Sequence, residues 1–181
     1  MTQTSHLKSP AITNLDATPI VANTTGEGSP GYSRTVSGYV TTVSADAAGS
    51  TYQLVRVPTN AKVKSVLFES AAMSAGKISL SVYYSDSSTD GTAPANQGLI
   101  VGGSPGGVGF FAVDIDCSSA VAITEEVNQS GTNPINLRDE PLWQALGLAT
   151  EPTGFFDIVG VCHTTAITTG ALMGIRVTFV D

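Results

Sequence analysis

Cys162 and His163 are adjacent in this chain, and Cys117 is its only other thiol. A Cys–His pair performs nucleophilic chemistry when the imidazole takes the thiol proton. Neighbours in a strand point to opposite faces. Cys162 and His163 therefore cannot serve each other, while Cys117 with His163, the only histidine outside residues 1–34, is geometrically possible. Carboxylates offer a second chemistry. Asp114 and Asp116 stand at i and i+2 on one face of a strand, Glu125 and Glu126 are adjacent, and Asp86 and Asp90 flank Ser87-Ser88-Thr89 before Gly91. Two carboxyls facing each other across a cleft would suit glycoside hydrolysis. The 86–91 stretch has the acidic spacing of a calcium loop but lacks the twelve-position pattern and the closing Glu. The plainer reading of all three groups is polar turns and solvated strand ends. Ser104, in Gly102-Gly103-Ser104-Pro105-Gly106, is followed by Pro and no strand-to-helix turn, so it is not a nucleophile elbow. The same glycine run lacks the Lys-Ser/Thr ending of a phosphate loop and the dinucleotide spacing. No catalytic residue, metal ligand or cofactor is assigned, and the expectation is a protein that is not an enzyme.

Composition points the same way. Charged residues make up 13% of the 181, against 41% hydrophobic; the charged share is about half that of a typical soluble domain. Ser, Thr, Gly, Val and Ala take the place of the charges. That favours strands and turns over exposed helices, whose wet faces carry Glu and Lys. Net charge is −7. The basic residues are scattered, with Lys62 and Lys64 the one close pair, so nucleic acid is not an expected partner. Alternation puts both lysines on one solvated strand face. Two cysteines cannot make a disulfide framework or a cysteine zinc site. They are read as buried free thiols in preference to a pair. Residues 1–10 have no apolar signal core, and no run approaches a membrane span. The expectation is synthesis and assembly in cytoplasm without a membrane partner.

Strand signals dominate from residue 35 onward. Alternation or β-branched enrichment predicts strands over 35–43 (broken by Gly38), 51–57, 63–70, 77–84, 108–116, 120–127, 155–164 and 172–180. In 51–57, Tyr52, Leu54 and the stem of Arg56 oppose Gln53, Val55 and Val57, and Pro58 ends the run. In 108–116, Phe111, Val113 and Ile115 share a side. The span 85–107, with six Gly and two Pro, is too long for a structureless loop. It is read as holding an edge strand at Leu99-Ile100-Val101 and a mobile tip at 102–107. One helix is predicted over 139–146, with Asp139 as cap, Pro141 in the first turn and Gly147 as stop. It presents Leu142, Trp143, Ala145 and Leu146 to the body. The aromatic pairs Tyr83/Tyr84, Phe110/Phe111 and Phe155/Phe156 each send one ring inward and one outward. Eight short strands predict an all-β antiparallel β-sandwich, jelly-roll or Greek-key, with one short helix.

Residues 1–34 differ from this body. They hold ten Ser/Thr, three Pro and three Gly, and few large apolar side chains. Ordering each residue costs about 1–2 kcal/mol of backbone entropy, which so sparse a set cannot offset alone. The segment is read as an extended N-terminal arm on a body spanning 35–181. It is a tether, a loose tail, or a segment ordered by a partner.

Three stretches carry a resemblance. They are Tyr52-Gln-Leu-Val-Arg56-Val-Pro58-Thr-Asn-Ala-Lys62-Val63, Lys77-Ile-Ser-Leu-Ser-Val-Tyr-Tyr84 and Glu140-Pro-Leu-Trp143-Gln-Ala-Leu-Gly147-Leu. In this order they resemble the head decoration, or cement, proteins of tailed bacteriophages. The resemblance covers most of 52–181 and none of 1–34. It implies a β-sandwich on the outer surface of a phage capsid, bound across neighbouring major-capsid subunits, stabilising the expanded head. It also implies self-association, as a homotrimer or alternatively a homodimer, and it carries no catalytic residues. The arm, about 110 Å long at about 3.3 Å per residue, would then lie along the capsid or a sister subunit. Ile12, Leu15, Ile20, Val21 and Tyr32 would be its anchors, with backbone pairing to an exposed edge. The rival readings are another virion β-protein of tail or fibre, a carbohydrate-binding module using the outward aromatics, and a small hydrolase.

Overall fold

Met173, Ile175, Val177 and Phe179 alternate along one stretch, and all four side chains are buried. They belong to β8 (Leu172–Val180), the middle strand of a three-stranded sheet. β2 (Ser33–Thr41) and β4 (Lys62–Ser70) flank it, both antiparallel. The computed structural model describes residues 6–19, 33–43, 48–73, 76–85, 101, 109–123, 127, 133, 135–163, 167 and 170–181. The second sheet has five strands: β1 (His6–Lys8), β3 (Thr51–Pro58), β7 (Phe155–Cys162), β5 (Lys77–Tyr84) and β6 (Ala112–Asp116), in that spatial order. Val121 bridges to Ser70 of β4 with reciprocal N–H to carbonyl bonds of 2.9 and 3.0 Å. That bridge marks a fourth position in the smaller sheet. The order β2-β8-β4-bridge facing β3-β7-β5-β6 is that of a jelly roll, so the all-β sandwich predicted from the strand pattern is the observed fold.

The two sheets close on a single apolar core that includes Leu54, Phe68, Ile78, Leu80, Phe156, Ile158 and Met173. A Cβ placed on Gly160 of β7 would sit 3.4 Å from Ile78, 3.7 Å from Leu54 and 3.8 Å from Met173 of the opposite sheet. The sheets therefore approach to ordinary contact there, and a side chain at 160 would crowd both. Burying each large apolar side chain contributes about 1.5–3 kcal/mol.

Local geometry departs from the predicted pattern in several places. The helix runs only over α2 (Leu142–Ala145), and its N-cap is Pro141 without a side-chain cap bond. The free N–H groups of Leu142 and Trp143 donate instead to the carbonyls of Ala61 and Thr59 in the β3–β4 turn. Asp139 is therefore not a cap; its carboxylate pairs with Lys64. Leu142, Ala145 and Leu146 are buried, Trp143 is half-buried, and Gly147 at φ +76° ends the helix. A second helix, α1 (Pro10–Asp16), lies within the segment read as an extended arm.

The predicted strand over 108–116 is shorter: β6 begins at Ala112, after the left-handed backbone of Gly109 (φ +59°), and Asp114 (φ +51°) puts a second left-handed residue within it. Phe110 and Phe111 precede the strand and are both buried, edge to face at 5.1 Å, so neither ring points outward. Phe111, Val113 and Ile115 do not share a face: Val113 is exposed and Phe111 is not. Within 120–127 the described residues form the single bridge at Val121 rather than a strand. Residues 86–100, 102–108 and 124–126, with the readings placed on them, lie outside the described residues. Val101 is described: it is buried, and its N–H donates to Val82 at 3.0 Å.

Candidate functional site

The best-built polar constellation lies where the N-terminal segment meets the body. β1 pairs in parallel with the start of β3, His6 opposite Thr51 and Lys8 opposite Gln53. Ser9 then ends the strand and starts the helix. Its N–H donates to the Gln53 carbonyl at 2.7 Å, its Oγ donates to the Leu54 carbonyl, and its carbonyl accepts from Thr13 N–H at 2.9 Å. Ser9 Oγ also accepts from the Ile12 N–H at 3.3 Å, with Pro10 in the first turn. Ser at the cap followed by Pro is a helix-start signal. A seven-residue helix does not hold itself together in water. Here Ile12 is wholly buried, outside the contiguous core between the sheets. For residues 6–16 the reading of an extended arm is therefore corrected. The partner that orders them is the body of the same chain.

A bulge in β3 creates the receiving surface. Gln53 pairs with Val159 and Val55 with Ile158, so Leu54 drops out of the ladder. Its carbonyl is turned to Ser9 and to Gly38 of β2. A Cβ at Gly38 would fall 1.9 Å from that carbonyl oxygen and 3.1 Å from Ser9 Oγ. Gly38, which reads in the sequence as a break in a strand, is the residue that lets the two sheets and the N-terminal segment meet.

Arg56 and Asp157 are direct cross-strand partners on the outer face of the five-stranded sheet. The guanidinium grips Asp157 with two bonds, Nε to Oδ1 at 2.7 Å and Nη2 to Oδ2 at 3.0 Å. Its Nη1 reaches Asp16 Oδ1 at 2.7 Å, at the last position of α1. Asp16 Oδ2 takes Lys8 Nζ at 2.8 Å. The chain of charge Lys8–Asp16–Arg56–Asp157 thus fastens the N-terminal segment to two strands. Burial pushes the Asp16 carboxyl up, but hydrogen bonds from Lys8 and Arg56 outweigh it and hold the group below the ordinary carboxylate range. Burial likewise opposes the charge on Arg56, and Asp157 and Asp16 more than offset that, keeping it protonated. Bidentate geometry of this type is among the stronger protein hydrogen-bond patterns. Sequence reading saw only the stem of Arg56. An Asp in the otherwise apolar run Phe155-Phe156-Asp157-Ile158-Val159 was the available signal for its partner.

The other candidate groups separate. Cys117 and Cys162 are buried thiols that do not form a disulfide, and burial raises the Cys117 thiol. His163 is half exposed, and its Nδ1 stands 2.8 Å from Asp114 Oδ1, so its neighbour is a carboxylate of β6 rather than a thiol. Asp116 accepts from the Ser118 N–H at 2.9 Å, which lowers its carboxyl. The left-handed turn at Asp114 breaks the shared face expected of Asp114 and Asp116. A bulge between Val63 and Ser65 breaks the alternation expected of Lys62 and Lys64, and Lys64 pairs with Asp139. Phe155 is partly exposed, while Phe156 is buried with its ring centre 5.6 Å from that of Tyr84, edge on. Among the described residues, no group of three or more His, Cys, Asp or Glu could hold a metal ion, and no helix is long and apolar enough to cross a membrane. Leu15 is half-buried on α1; Ile20, Val21 and Tyr32 lie outside the described residues.

Fold and site together define a jelly-roll sandwich whose N-terminal segment is fastened to its own sheet edge. The chain is similar in fold to a chain of the capsid of Ralstonia phage GP4, with a TM-score of 0.60 over 98% of each chain and 12% identity. At that identity the likeness is one of fold. No protein-family model matches the sequence, and no curated protein matches it.

Proposed function

We propose that this chain is a structural protein of a phage virion that binds the outer surface of the capsid across neighbouring major-capsid subunits. The observation that carries the reading is the end-to-end likeness of fold to a phage capsid chain. The three stretches that resemble head decoration proteins support it, as does the low charge of the chain. It acts by binding and not by catalysis. A protein that binds only the expanded shell shifts the equilibrium toward that shell, and many copies add their small contributions. Copies associate with one another, as homotrimers in the preferred arrangement. Ile12 is engaged with its own body, so Leu15, Ile20, Val21 and Tyr32 are the residues of 1–34 left for the capsid surface.

The test is co-sedimentation of the purified chain with expanded heads and with immature shells. The expected result is retention on expanded heads alone, with a rise in the temperature at which the heads release their contents. Equal retention on both, or retention on tails instead, would overturn the reading.

A further inference from the structure

We propose that the docking site for residues 6–16 is exchangeable, and that a second copy of this chain supplies its own residues 6–16 to it when copies are crowded. The body presents a preformed receptor with three parts. The edge of β3 offers backbone groups to a parallel strand. The bulged Leu54 carbonyl, held open by Gly38, takes the Ser9 hydroxyl. The Arg56 guanidinium, two of its nitrogens already on Asp157, turns its third toward one more carboxylate, which Asp16 provides. Without the segment, the Leu54 carbonyl and the Arg56 Nη1 each lose these partners. The contacts named here are all made by residues 6–16, which the sixteen residues 17–32 join in sequence to β2 of the body.

The balance between own and exchanged docking is then set by concentration. A tether of sixteen residues spans at most about 53 Å at about 3.3 Å each. Tethers of that length give effective concentrations on the order of millimolar. Copies set side by side, a molecular width apart, reach the same order. Exchange is therefore minor in dilute solution and competitive on a crowded surface, where each exchanged segment ties two copies together. Swapping an identical element needs no new contact surface, which makes it a low-cost route to association. The inference deepens the self-association proposed above and rests on that reading only for the place where crowding occurs.

Lys8 and Gln53 are register partners in the β1–β3 ladder, at a backbone separation of about 4.8 Å, inside the disulfide range. One preparation carries Lys8→Cys alone and another Gln53→Cys alone, so neither chain can form the 8–53 crosslink within itself. The two are mixed, equilibrated and oxidised, and the background from the buried native thiols is measured on the parent chain. Crosslinked dimer between the two variants should rise by about 100-fold from about 10 μM to about 1 mM protein. The double variant Lys8→Cys/Gln53→Cys should crosslink within one chain at low concentration, which verifies the docking geometry. If the double variant crosslinks but the mixed single variants stay at background at the highest concentration, exchange is wrong. If the double variant fails to crosslink, the docking itself is wrong and the proposal falls with it. All of this is read in solution without heads. Exchange without head binding would therefore overturn only the capsid reading, and head binding without exchange would overturn only this one.

Discussion

On the outer face of the three-stranded sheet, Thr35, Ser37, Tyr39 and Thr41 of β2 are exposed, with Leu172 and Arg176 of β8 beside them. On the outer face of the five-stranded sheet, Arg56, Asp157, Val159, Ser79 and Ser81 are buried. Both faces are mostly polar in sequence, and the inner faces of both sheets are apolar. The difference is that one polar face meets water and the other meets protein. A polar face in water needs no internal partner. A buried one must satisfy its groups inside the protein, as Asp157 does through Arg56, Ser79 by accepting from Asp114 N–H, and Ser81 by accepting from Gly109 N–H. Substitutions should therefore be costly on the covered face and nearly silent on the open one.

The largest effect is expected at Arg56. Arg56→Met leaves Asp157 buried without its bidentate partner, which should lower stability by about 3–5 kcal/mol. The midpoint of urea unfolding, at unchanged slope, measures it. The double change Arg56→Met/Asp157→Leu should recover most of the loss, because a well-packed apolar pair replaces a buried ion pair at little net cost. If the single change is silent, the outer face of that sheet behaves like the open one and the contrast collapses. Gly38→Ala comes next. Its added methyl would meet the Leu54 carbonyl, and the resulting overpacking should cost about 1–3 kcal/mol. Faster amide exchange at Ser9 would localise the damage to the docked segment.

These two residues also mark where sequence reading succeeds and fails. β8 (Leu172–Val180) and β5 (Lys77–Tyr84) have the bounds that the alternation predicts. β8 has one face in the core and the other largely in water, and β5 is bounded by clear turn signals. β3 has burial on both faces, so alternation places its strand but gives no account of Arg56. Nothing local ties Arg56 to Asp157, which lies 101 positions away, or to Asp16, 40 positions away. Residues 6–16 look unable to fold because they bury few apolar side chains of their own, Ile12 and in part Leu7, and depend besides on hydrogen bonds and charge supplied by the body. The breaks at Asp114 and Val63 shift side chains across a face by local backbone geometry, which residue types alone do not encode.

Acid should separate the N-terminal fastening from the rest of the sandwich. The Asp16 carboxyl sits below its ordinary range when docked. Its contribution is therefore complete above about pH 4, the unfolded value, and is lost as pH falls through the lower docked value. Protease cleavage within residues 1–19 should accelerate over that acid range. Asp16→Asn should remove the part of the pH dependence that belongs to this group and cost up to about 1 kcal/mol at neutral pH, as a partly exposed ion pair does. A full pH dependence retained in Asp16→Asn would assign the release to a group other than Asp16.

The smallest effect is expected on the open face. Thr35 and Thr178 face each other across β2 and β8 with their hydroxyls 3.2 Å apart. Both hydroxyls have water as a ready alternative partner, so Thr35→Val exchanges one hydrogen bond for solvation and keeps the β-branched shape that suits a strand. Stability should change by no more than about 0.5 kcal/mol, in either direction. Thr35→Val should also leave amide exchange at Ser9 unchanged, since Thr35 lies on the exposed face of β2 and Gly38 on its buried side. A loss near that of Gly38→Ala would mean that the three-stranded sheet is covered in solution. A covered face would then obey the same rule as Arg56 and Asp157, with a second copy as the first cover to test by sedimentation.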